Sequence, residues 1–321
     1  MKGVGLIFQL IFLSFVLMGC TRSLPSGFSV GPGTYKQKMD MRFNLLKRSY
    51  RVHVPPSYDP GKPLPLVVVI HGAFDDASGM EKATGFSELA DRENFIVQYP
   101  NGISLFGFLQ HWNAGHCCGK AADDNVDDVG FIAKAIEDLC SRLNVDRRRI
   151  YMVGFSNGGM MAYRFAAERS DLLAAVAPLA ASIGGRASEN EPEWQIPVPE
   201  YPLPIISMHG MEDDDVPYNG GISPRRGGDR SYYSVPESLS FWVEQNGCHG
   251  PVNEGALYQD AVIVKSWTGC FDNSEIVLYL LKEWDHVWPG KVFFGSLEKG
   301  HPLKEFDAAQ IIWDFFKRHS R

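Results

Sequence analysis

The chain has 321 residues, of which 45% are hydrophobic, and this is enough to bury the core of one large domain or two small ones. The formal net charge is -7 at pH 7, and the longest basic run is the arginine stretch at residues 147–149. A mildly acidic chain without a basic stripe is unsuited to nucleic acid or anionic lipid headgroups, so we exclude both as expected partners.

The N-terminus is predicted to be an export signal rather than part of the fold. Residues 4–18 form an apolar run, which as a helix would reach only about 22 Å, short of a bilayer core of roughly 30 Å. The run ends in Leu-Met-Gly-Cys, which resembles a bacterial lipobox. Residues 1–20 are therefore predicted to be a lipoprotein-type signal peptide, with Cys20 as the lipidated residue. A plain signal peptide with an incidental cysteine is the alternative.

The composition beyond the signal predicts one tether and one domain. Residues 21–38 are rich in Ser, Pro, Gly and Lys and are predicted to be flexible, and residues 39–321 are predicted to fold. Export and lipidation together predict a cell-envelope lipoprotein, periplasmic or anchored to the outer membrane, or else a secreted protein. The N-terminal lipid would then be the only contact with a membrane.

The elements alternate between strand and helix. Strands are predicted over residues 43–54, 66–70, 95–99, 150–153, 172–180, 204–208, 261–267 and 276–281. Helices are predicted over residues 79–94, from Asp127 onward, over 157–169 and over 302–318. This alternation implies an α/β fold with a mostly parallel central sheet and helices on both faces.

Two long stretches, residues 182–201 and 218–230, fit no element. Loops of this length in a compact domain are usually functional or disordered. Because both stretches flank candidate catalytic positions, we interpret them as rims of an active site.

Five cysteines follow the signal, and an exported protein is free to form disulfides. Because five is an odd number, internal pairing leaves at least one thiol free. Cys248 and Cys270 bracket the predicted strand over residues 261–267, and we predict a bridge between them. The other three are Cys117, Cys118 and Cys140.

The pairing of Cys117 and Cys118 has several possible solutions. The two pair with each other, or one of them reaches Cys140. A zinc cluster with His111 and His116 is the competing interpretation, but the spacing matches no zinc pattern, so no metal is expected.

The motif Gly154-Phe155-Ser156-Asn157-Gly158 lies between a predicted strand and a predicted helix. In that context G-x-S-x-G predicts a strained turn that exposes the hydroxyl of Ser156 as a nucleophile. A Cβ at either glycine would clash across such a turn. The backbone N–H of Asn157 would point where an oxyanion forms. A helix start with a capping serine is the alternative.

A second oxyanion donor is expected in the loop after the strand over residues 66–70. His71-Gly72-Ala73-Phe74 follows that strand, and the N–H of Ala73 or of Phe74 is the predicted donor. We interpret His71 as a structural, hydrogen-bonded histidine.

The remaining catalytic groups are expected later in the chain, acid before histidine. The strand over residues 204–208 leads to four acids at 212–215, any of which fits an orienting carboxylate; a solvated acidic turn is the alternative, and the spacing does not match a calcium loop. His286 follows the last predicted strand and fits a general base. His301 is the next candidate, but it borders the C-terminal helix.

We interpret Asp127-Asp128 as a structural helix start.

An ordered set of motifs covers almost the whole chain beyond the signal. It comprises VVVIHG at 67–72, WNAGHCCG at 112–119, VDDVGFI at 126–132, GFSNGGMMAYRFAAE at 154–168, HGMEDDDVPYNG at 209–220 and HVWPG at 286–290. On these motifs the chain resembles the secreted polyhydroxybutyrate-depolymerase-like and feruloyl-esterase-like esterases of the α/β-hydrolase fold.

The resemblance implies that residues 39–321 form a catalytic domain with Ser156 as nucleophile, Asp213 as orienting acid and His286 as base. It selects Asp213 because the acid of the family stands four residues after the His of its His-Gly-x-x-Asp pattern. It also suggests that Trp112 and Trp288 border the substrate cleft. The glycine pair that often precedes the histidine is replaced here by Trp284-Asp285.

Aromatic residues are predicted to form the rim of the cleft and to hold an acyl or aryl group by stacking. They are Trp112, Trp284, Trp288, Phe106 and Phe108.

The expected reaction is ester hydrolysis through an acyl-enzyme, without metal or cofactor. Expected substrates are feruloyl or acetyl esters of plant polysaccharide, or short hydroxyalkanoate esters. The alternatives are a serine peptidase on the same fold and a non-catalytic surface lipoprotein.

Overall fold

The computed structural model describes residues 22–23, 30–43, 45–104, 109–225, 228–291 and 296–321. The predicted signal peptide with Cys20, and the predicted rim residues Phe106 and Phe108, lie outside the described residues. No helix within these ranges is long and apolar enough to cross a membrane.

The described strands fall into a large sheet and a small one. In chain order they are β1 (Arg22–Ser23), β2 (Gly33–Phe43), β3 (Leu46–Val54), β4 (Leu64–Ile70), β5 (Ile96–Pro100), β6 (Val145–Phe155), β7 (Ala175–Leu179), β8 (Gly184–Arg186), β9 (Trp194–Gln195), β10 (Ile205–Gly210), β11 (Gly221–Ile222), β12 (Ser231–Tyr232), β13 (Val252–Leu257), β14 (Val262–Trp267) and β15 (Ile276–Leu281).

The large sheet runs in the order β1-β2-β3-β5-β4-β6-β7-β10-β15-β14-β13. Its centre, from β5 to β15, is parallel, and antiparallel pairs flank it on both sides. Every residue of β4 (LPLVVVI) is buried, as expected of a strand covered on both faces. The predicted fold class, α/β with a mostly parallel central sheet, is confirmed.

The α-helices cover both faces of this sheet. They are α1 (Ala77–Thr84), α2 (Phe86–Glu93), α3 (Gly119–Asp123), α4 (Asp128–Cys140), α5 (Asn157–Glu168), α6 (Val235–Gln245) and α7 (Ala308–Phe316). Alternate residues of β4 enter two separate apolar clusters. Leu66 and Val68 pack on the face covered by α4, α5 and α6, and Val67 packs on the face covered by α1, α2 and α7.

The folded domain begins earlier than predicted. The tether was expected to reach residue 38, but β2 starts at Gly33 and pairs with β3 in antiparallel register. Tyr35 and Met39 are buried in the core cluster. The tether prediction is therefore wrong for residues 33–38. The free energy gained by burying these apolar side chains orders the segment although its composition is otherwise polar.

One helix predicted over residues 79–94 is two helices. Gly85 separates α1 from α2 with a φ of 72°. Glycine adopts this left-handed conformation without steric cost, so it ends one helix and redirects the chain into the next.

The two stretches that fit no predicted element contain three strands of the small sheet, β8, β9 and β11, and β12 follows directly after the second stretch; the order of this sheet is β11-β12-β8-β9. Helix α6 was also not predicted, although its sequence carries a signal. Ser234 and Glu237 form a reciprocal capping box at its first turn. The small sheet places Ala187 and Tyr232 around the same cavity as Ser156.

Candidate active site

Ser156 lies on a sharp turn between β6 and α5. Its backbone has φ 56° and ψ -125°, which a residue with a side chain adopts at a cost of roughly 1–3 kcal/mol. A Cβ on Gly154 would collide with the carbonyl of Gly158, and one on Gly158 would collide with the carbonyls of Ile70 and His71. Both glycines are therefore required for the turn that presents the serine hydroxyl.

Three side chains from distant parts of the chain form one hydrogen-bonded series. Oγ of Ser156 lies 2.8 Å from Nε2 of His286, and Nδ1 of the same ring lies 2.7 Å from Oδ2 of Asp213. Because a carboxylate only accepts hydrogen bonds, Nδ1–H donates to Asp213 and Nε2 is left to accept the serine proton. The structure thus brings together the three residues predicted as a triad.

Asp213 is fixed in place by its own turn. Its Oδ1 accepts hydrogen bonds from the backbone N–H of Asp215 at 3.0 Å and of Val216 at 2.7 Å. The neighbouring acids differ: the side chain of Asp214 is 58% exposed, and that of Asp215 forms an ion pair with Arg225. Of the four adjacent acids, Asp213 is the one whose carboxylate contacts His286.

His209 lies behind Asp213 and was not predicted to support it. The ring is fully buried, its Nε2 donates to the carbonyl of Val216 at 2.8 Å, and it lies 3.5 Å from Oδ2 of Asp213. Burial lowers the pKa of His209, so the ring is neutral beside the carboxylate. The His-Gly-x-x-Asp spacing was the signal for this contact.

Arg225 joins the loop of the acid to the loop of the histidine. Its guanidinium contacts both oxygens of Asp285 at 3.1 and 2.7 Å and reaches Asp215 at 3.2 Å. Oδ1 of Asp285 also accepts the backbone N–H of His286 at 2.7 Å. This clamp was also missed, because nothing local to residues 218–230 indicates which loop the arginine would reach.

The backbone around Ser156 provides candidate oxyanion donors. Asn157 begins α5, where the first N–H groups of a helix lack intrahelical partners. Its side-chain amide exchanges two hydrogen bonds with the backbone of Trp112, at 2.8 and 3.0 Å, which fixes the start of the helix. The N–H of Phe74 instead donates to the carbonyl of Gln110. Phe74 is therefore excluded as an oxyanion donor. Of the two predicted donors, Ala73 remains the candidate.

His71 is held by hydrogen bonds on both ring nitrogens. Its Nε2 accepts the N–H of Gly102 at 3.0 Å, so its Nδ1–H donates to the carbonyl of Gly72 at 2.7 Å. Burial lowers its pKa to about 4. The neutral ring ties the loop after β4 to the chain after β5, in agreement with the structural role expected of it.

A cavity of about 440 Å³ opens beside Ser156. Its lining includes Ala73, Ser156 and Asn157 together with residues of the two long stretches predicted to form the rim. From those stretches come Ala187, Gly228, Asp229 and Arg230, and Tyr232 lies just beyond the second stretch.

The three tryptophans predicted to bind substrate do not line this cavity. Trp112 is fully buried and its indole N–H donates to the carbonyl of His71 at 2.9 Å. Trp284 donates to the carbonyl of Val287 at 2.9 Å, and Trp288 packs against Phe155. All three rings are buried instead, and the N–H groups of Trp112 and Trp284 are paired with backbone carbonyls, so the prediction that these tryptophans border the cleft is wrong.

Two pairs of cysteines are bridged. Cys248 and Cys270 form a disulfide, as predicted, and Cys117 pairs with Cys118 in the wall of the cavity. With its two sulfurs bonded to each other, the second pair is not the thiolate pair that the zinc alternative requires. Cys140 is free, and burial raises the pKa of its thiol to about 11.

The acidic pair at the start of α4 is structural. Asp127 caps the helix by accepting the N–H of Gly130. Asp128 forms a buried ion pair with Arg48 at 2.6 Å, and it also accepts the N–H of Asn113 at 2.8 Å. The hydrogen bond from Asn113 ties the segment that leads to the two bridged cysteines to this buried ion pair.

Several curated relatives of this chain are named as esterases. Residues 48–190 match the family model described as Esterase PHB depolymerase. The chain is 30% identical over 227 residues to feruloyl esterase B of Piromyces equi, which covers 66% of this chain and 39% of that protein. It is 28% identical over 239 residues to feruloyl esterase C of Emericella nidulans, covering 72% and 74%. The chain spans less than half the length of the first curated relatives it matches.

Solved structures with the same fold include an acetyl xylan esterase from Aspergillus awamori. The TM-score is 0.56 at 16% sequence identity, and the match covers 80% of this chain and 95% of that chain. A likeness at this identity shows the fold alone. Residues 48–190 are thus similar to the PHB-depolymerase-like esterases, and the fold of the chain is that of the α/β-hydrolases.

Proposed function

We propose that this protein is a serine carboxylic-ester hydrolase that works through an acyl-enzyme intermediate. The observation that carries the proposal is the hydrogen-bonded series Ser156–His286–Asp213, which ends at a cavity. The family model that residues 48–190 match and the names of the relatives support the same reaction class.

In the first step His286 takes the proton of Ser156 through Nε2 while Oγ attacks the ester carbonyl. Asp213 holds the ring with Nδ1 protonated and stabilises the positive charge that develops on it. The N–H groups of Asn157 and Ala73 stabilise the oxyanion. The alcohol leaves with the proton from His286.

In the second step water replaces the alcohol. His286 removes a proton from the water, which attacks the acyl group on Ser156, and the same proton returns to the serine as the acid departs. Each proton taken by His286 is given back within one cycle, so this route needs no metal or cofactor.

For the substrate we propose feruloyl or acetyl esters of plant polysaccharide, or short hydroxyalkanoate esters. The named activities of the relatives support the first two and the matched family model supports the third. We further propose that the chain is exported and held at the cell envelope through a lipid on Cys20, or else secreted.

Hydrolysis of methyl ferulate, acetylated xylan and hydroxybutyrate oligomers by the purified protein tests the proposal. Ser156→Ala should lower turnover of whichever ester is cleaved by about 10³-fold or more. Ser188→Ala, on the half-buried loop beside the cavity, is the control and should retain turnover. Turnover of aminoacyl amides without turnover of esters would indicate a peptidase instead.

A further inference from the structure

Arg230 lies in the wall of the cavity, close to the start of α5. One guanidinium nitrogen, Nη1, is 3.7 Å from the sulfur of Cys117 and 3.7 Å from that of Cys118. The sulfur of Cys117 in turn lies 3.9 Å from Nδ2 of Asn157. A single disulfide therefore separates the cation from the residue that follows Ser156.

The two acids that share this cavity are engaged elsewhere. Asp215 forms an ion pair with Arg225 at 3.2 Å, and Oδ2 of Asp229 accepts the backbone N–H of Glu189 at 3.0 Å. Within the part of the chain that the structure describes, no carboxylate forms an ion pair with Arg230. Its Nε is also buried without a hydrogen-bond partner.

The imidazole next to Arg230 is uncharged. His116 is buried next to it and stacks on Trp194, with ring centroids 5.9 Å apart. Burial and the nearby charge of Arg230 lower the pKa of His116 to about 3, so the imidazole is neutral. The two sulfurs offer only weak acceptors. Arg230 is thus a cation in a ligand-sized cavity, with Nη1 on two weak acceptors and Nε without a partner.

We propose that Arg230 binds a carboxylate of the substrate, and that the preferred ester carries this anionic group a few bonds from the carbonyl that Ser156 attacks. The inference rests on the proposed esterase function and narrows it. A guanidinium matches a carboxylate through two parallel hydrogen bonds, and such charge-assisted pairs are about twice as strong as neutral ones. Esters of hydroxy acids with a free carboxylate meet this requirement, whereas hydroxycinnamoyl esters of neutral sugars do not.

The carboxylate can belong to the acyl group or to the leaving alcohol, and matched substrate pairs distinguish the two. For the acyl side the pair is p-nitrophenyl hydrogen adipate and p-nitrophenyl hexanoate. For the alcohol side it is the linear hydroxybutyrate trimer and the same trimer with its carboxylate converted to an amide. In each pair one substrate carries a carboxylate, and the other is an uncharged substrate of the same chain length.

We expect the anionic member of one pair to have a kcat/KM roughly tenfold or more above its neutral partner, mostly through KM. Arg230→Gln should reduce that ratio to near one. Arg230→Lys keeps the positive charge but loses the planar guanidinium that forms two parallel hydrogen bonds. This variant should show an intermediate ratio of kcat/KM values. Arg186→Gln is the control, because Arg186 lies opposite Ser231 in the small sheet, ion-pairs with Glu193 and does not line the cavity.

A ratio near one for the unmodified protein in both pairs would overturn the inference, as would an unchanged ratio in Arg230→Gln. An equal loss of ratio in Arg186→Gln would also overturn it, because the effect would then come from charge near the cavity rather than from binding to Arg230. If neither member of either pair is turned over, the esterase function itself fails, which is a distinguishable result.

Discussion

Nδ1 of His286 lies 2.7 Å from Oδ2 of Asp213, although 73 residues separate them along the chain. The contact follows from the topology of the sheet. Strands β10 and β15 are parallel neighbours with Gly210 opposite Leu281. The loops that leave their carboxyl ends therefore meet at one edge of the sheet, and the turn after β6 places Ser156 at the same edge.

The choice among four adjacent acids can be tested with one pair of substitutions. Asp213→Asn should lower kcat for ester hydrolysis by about 10⁴-fold, because an amide at this position stabilises the wrong tautomer of His286. Asp214→Asn is the matched control, since its side chain is 58% exposed, and it should change kcat little. If Asp214→Asn or Asp215→Asn shows the large loss instead, the assignment of Asp213 is wrong.

The turn that carries Ser156 should not tolerate a Cβ on Gly154. Gly154→Ala would force the new methyl group against the carbonyl of Gly158. We expect a loss of roughly 1–3 kcal/mol or more in the free energy of unfolding by urea, together with a loss of esterase activity. Gly255→Ala in β13 is the control, because a Cβ there meets no atom within 4 Å. Equal stability of the two variants would contradict the close approach of β6 and α5.

Stability should fall as the pH is lowered from neutrality, in part because of His71. In the folded state its pKa is lowered from 6.5 to about 4, so between these values the unfolded chain binds the proton more readily. The stability lost across this window is on the order of 3 kcal/mol.

Urea unfolding at pH 7.0 and pH 4.5 measures this loss. His71→Gln should lose less stability between the two pH values than the unmodified protein. His249→Gln, at an exposed position after α6, is the control and should show the same difference as the unmodified protein. An unchanged difference in His71→Gln would show that another group is responsible.

The bridge between Cys248 and Cys270 should stabilise the fold. It closes a loop with a sequence separation of 22, for which the loss of chain entropy in the unfolded state corresponds to about 3 kcal/mol. The double substitution Cys248→Ala/Cys270→Ala should therefore lower the urea midpoint. Cys140→Ala is the control for removal of a thiol. Peptide mapping that finds either cysteine bonded to Cys140 would contradict the pairing.

The order of serine, acid and histidine along the chain was predictable because it depends on the order of the strands. Serine, acid and histidine each follow a buried apolar strand, and parallel strands end at one edge. The acid was not determined by this rule, since four carboxylates follow β10 within one turn. The resemblance to a family selected Asp213, and the turn that accepts two backbone N–H groups on Asp213 gives the physical reason.

Features that depend on distant partners were not predictable. Whether Ala73 or Phe74 serves as oxyanion donor is decided by the carbonyl of Gln110, which lies on another loop. Whether an indole such as that of Trp112 faces the cleft or the core depends on the carbonyl its N–H reaches. The strands of the small sheet, two or three residues long, carry no periodicity that the sequence could reveal.

The most direct test of the central claim is to locate the adduct formed with a fluorophosphonate, which reacts with activated serines. Intact mass followed by peptide mapping should show a single adduct on Ser156, formed at a rate that His286→Ala lowers strongly and His301→Ala does not. An adduct on another serine, or ester hydrolysis that persists after complete modification of Ser156, would contradict the proposed mechanism.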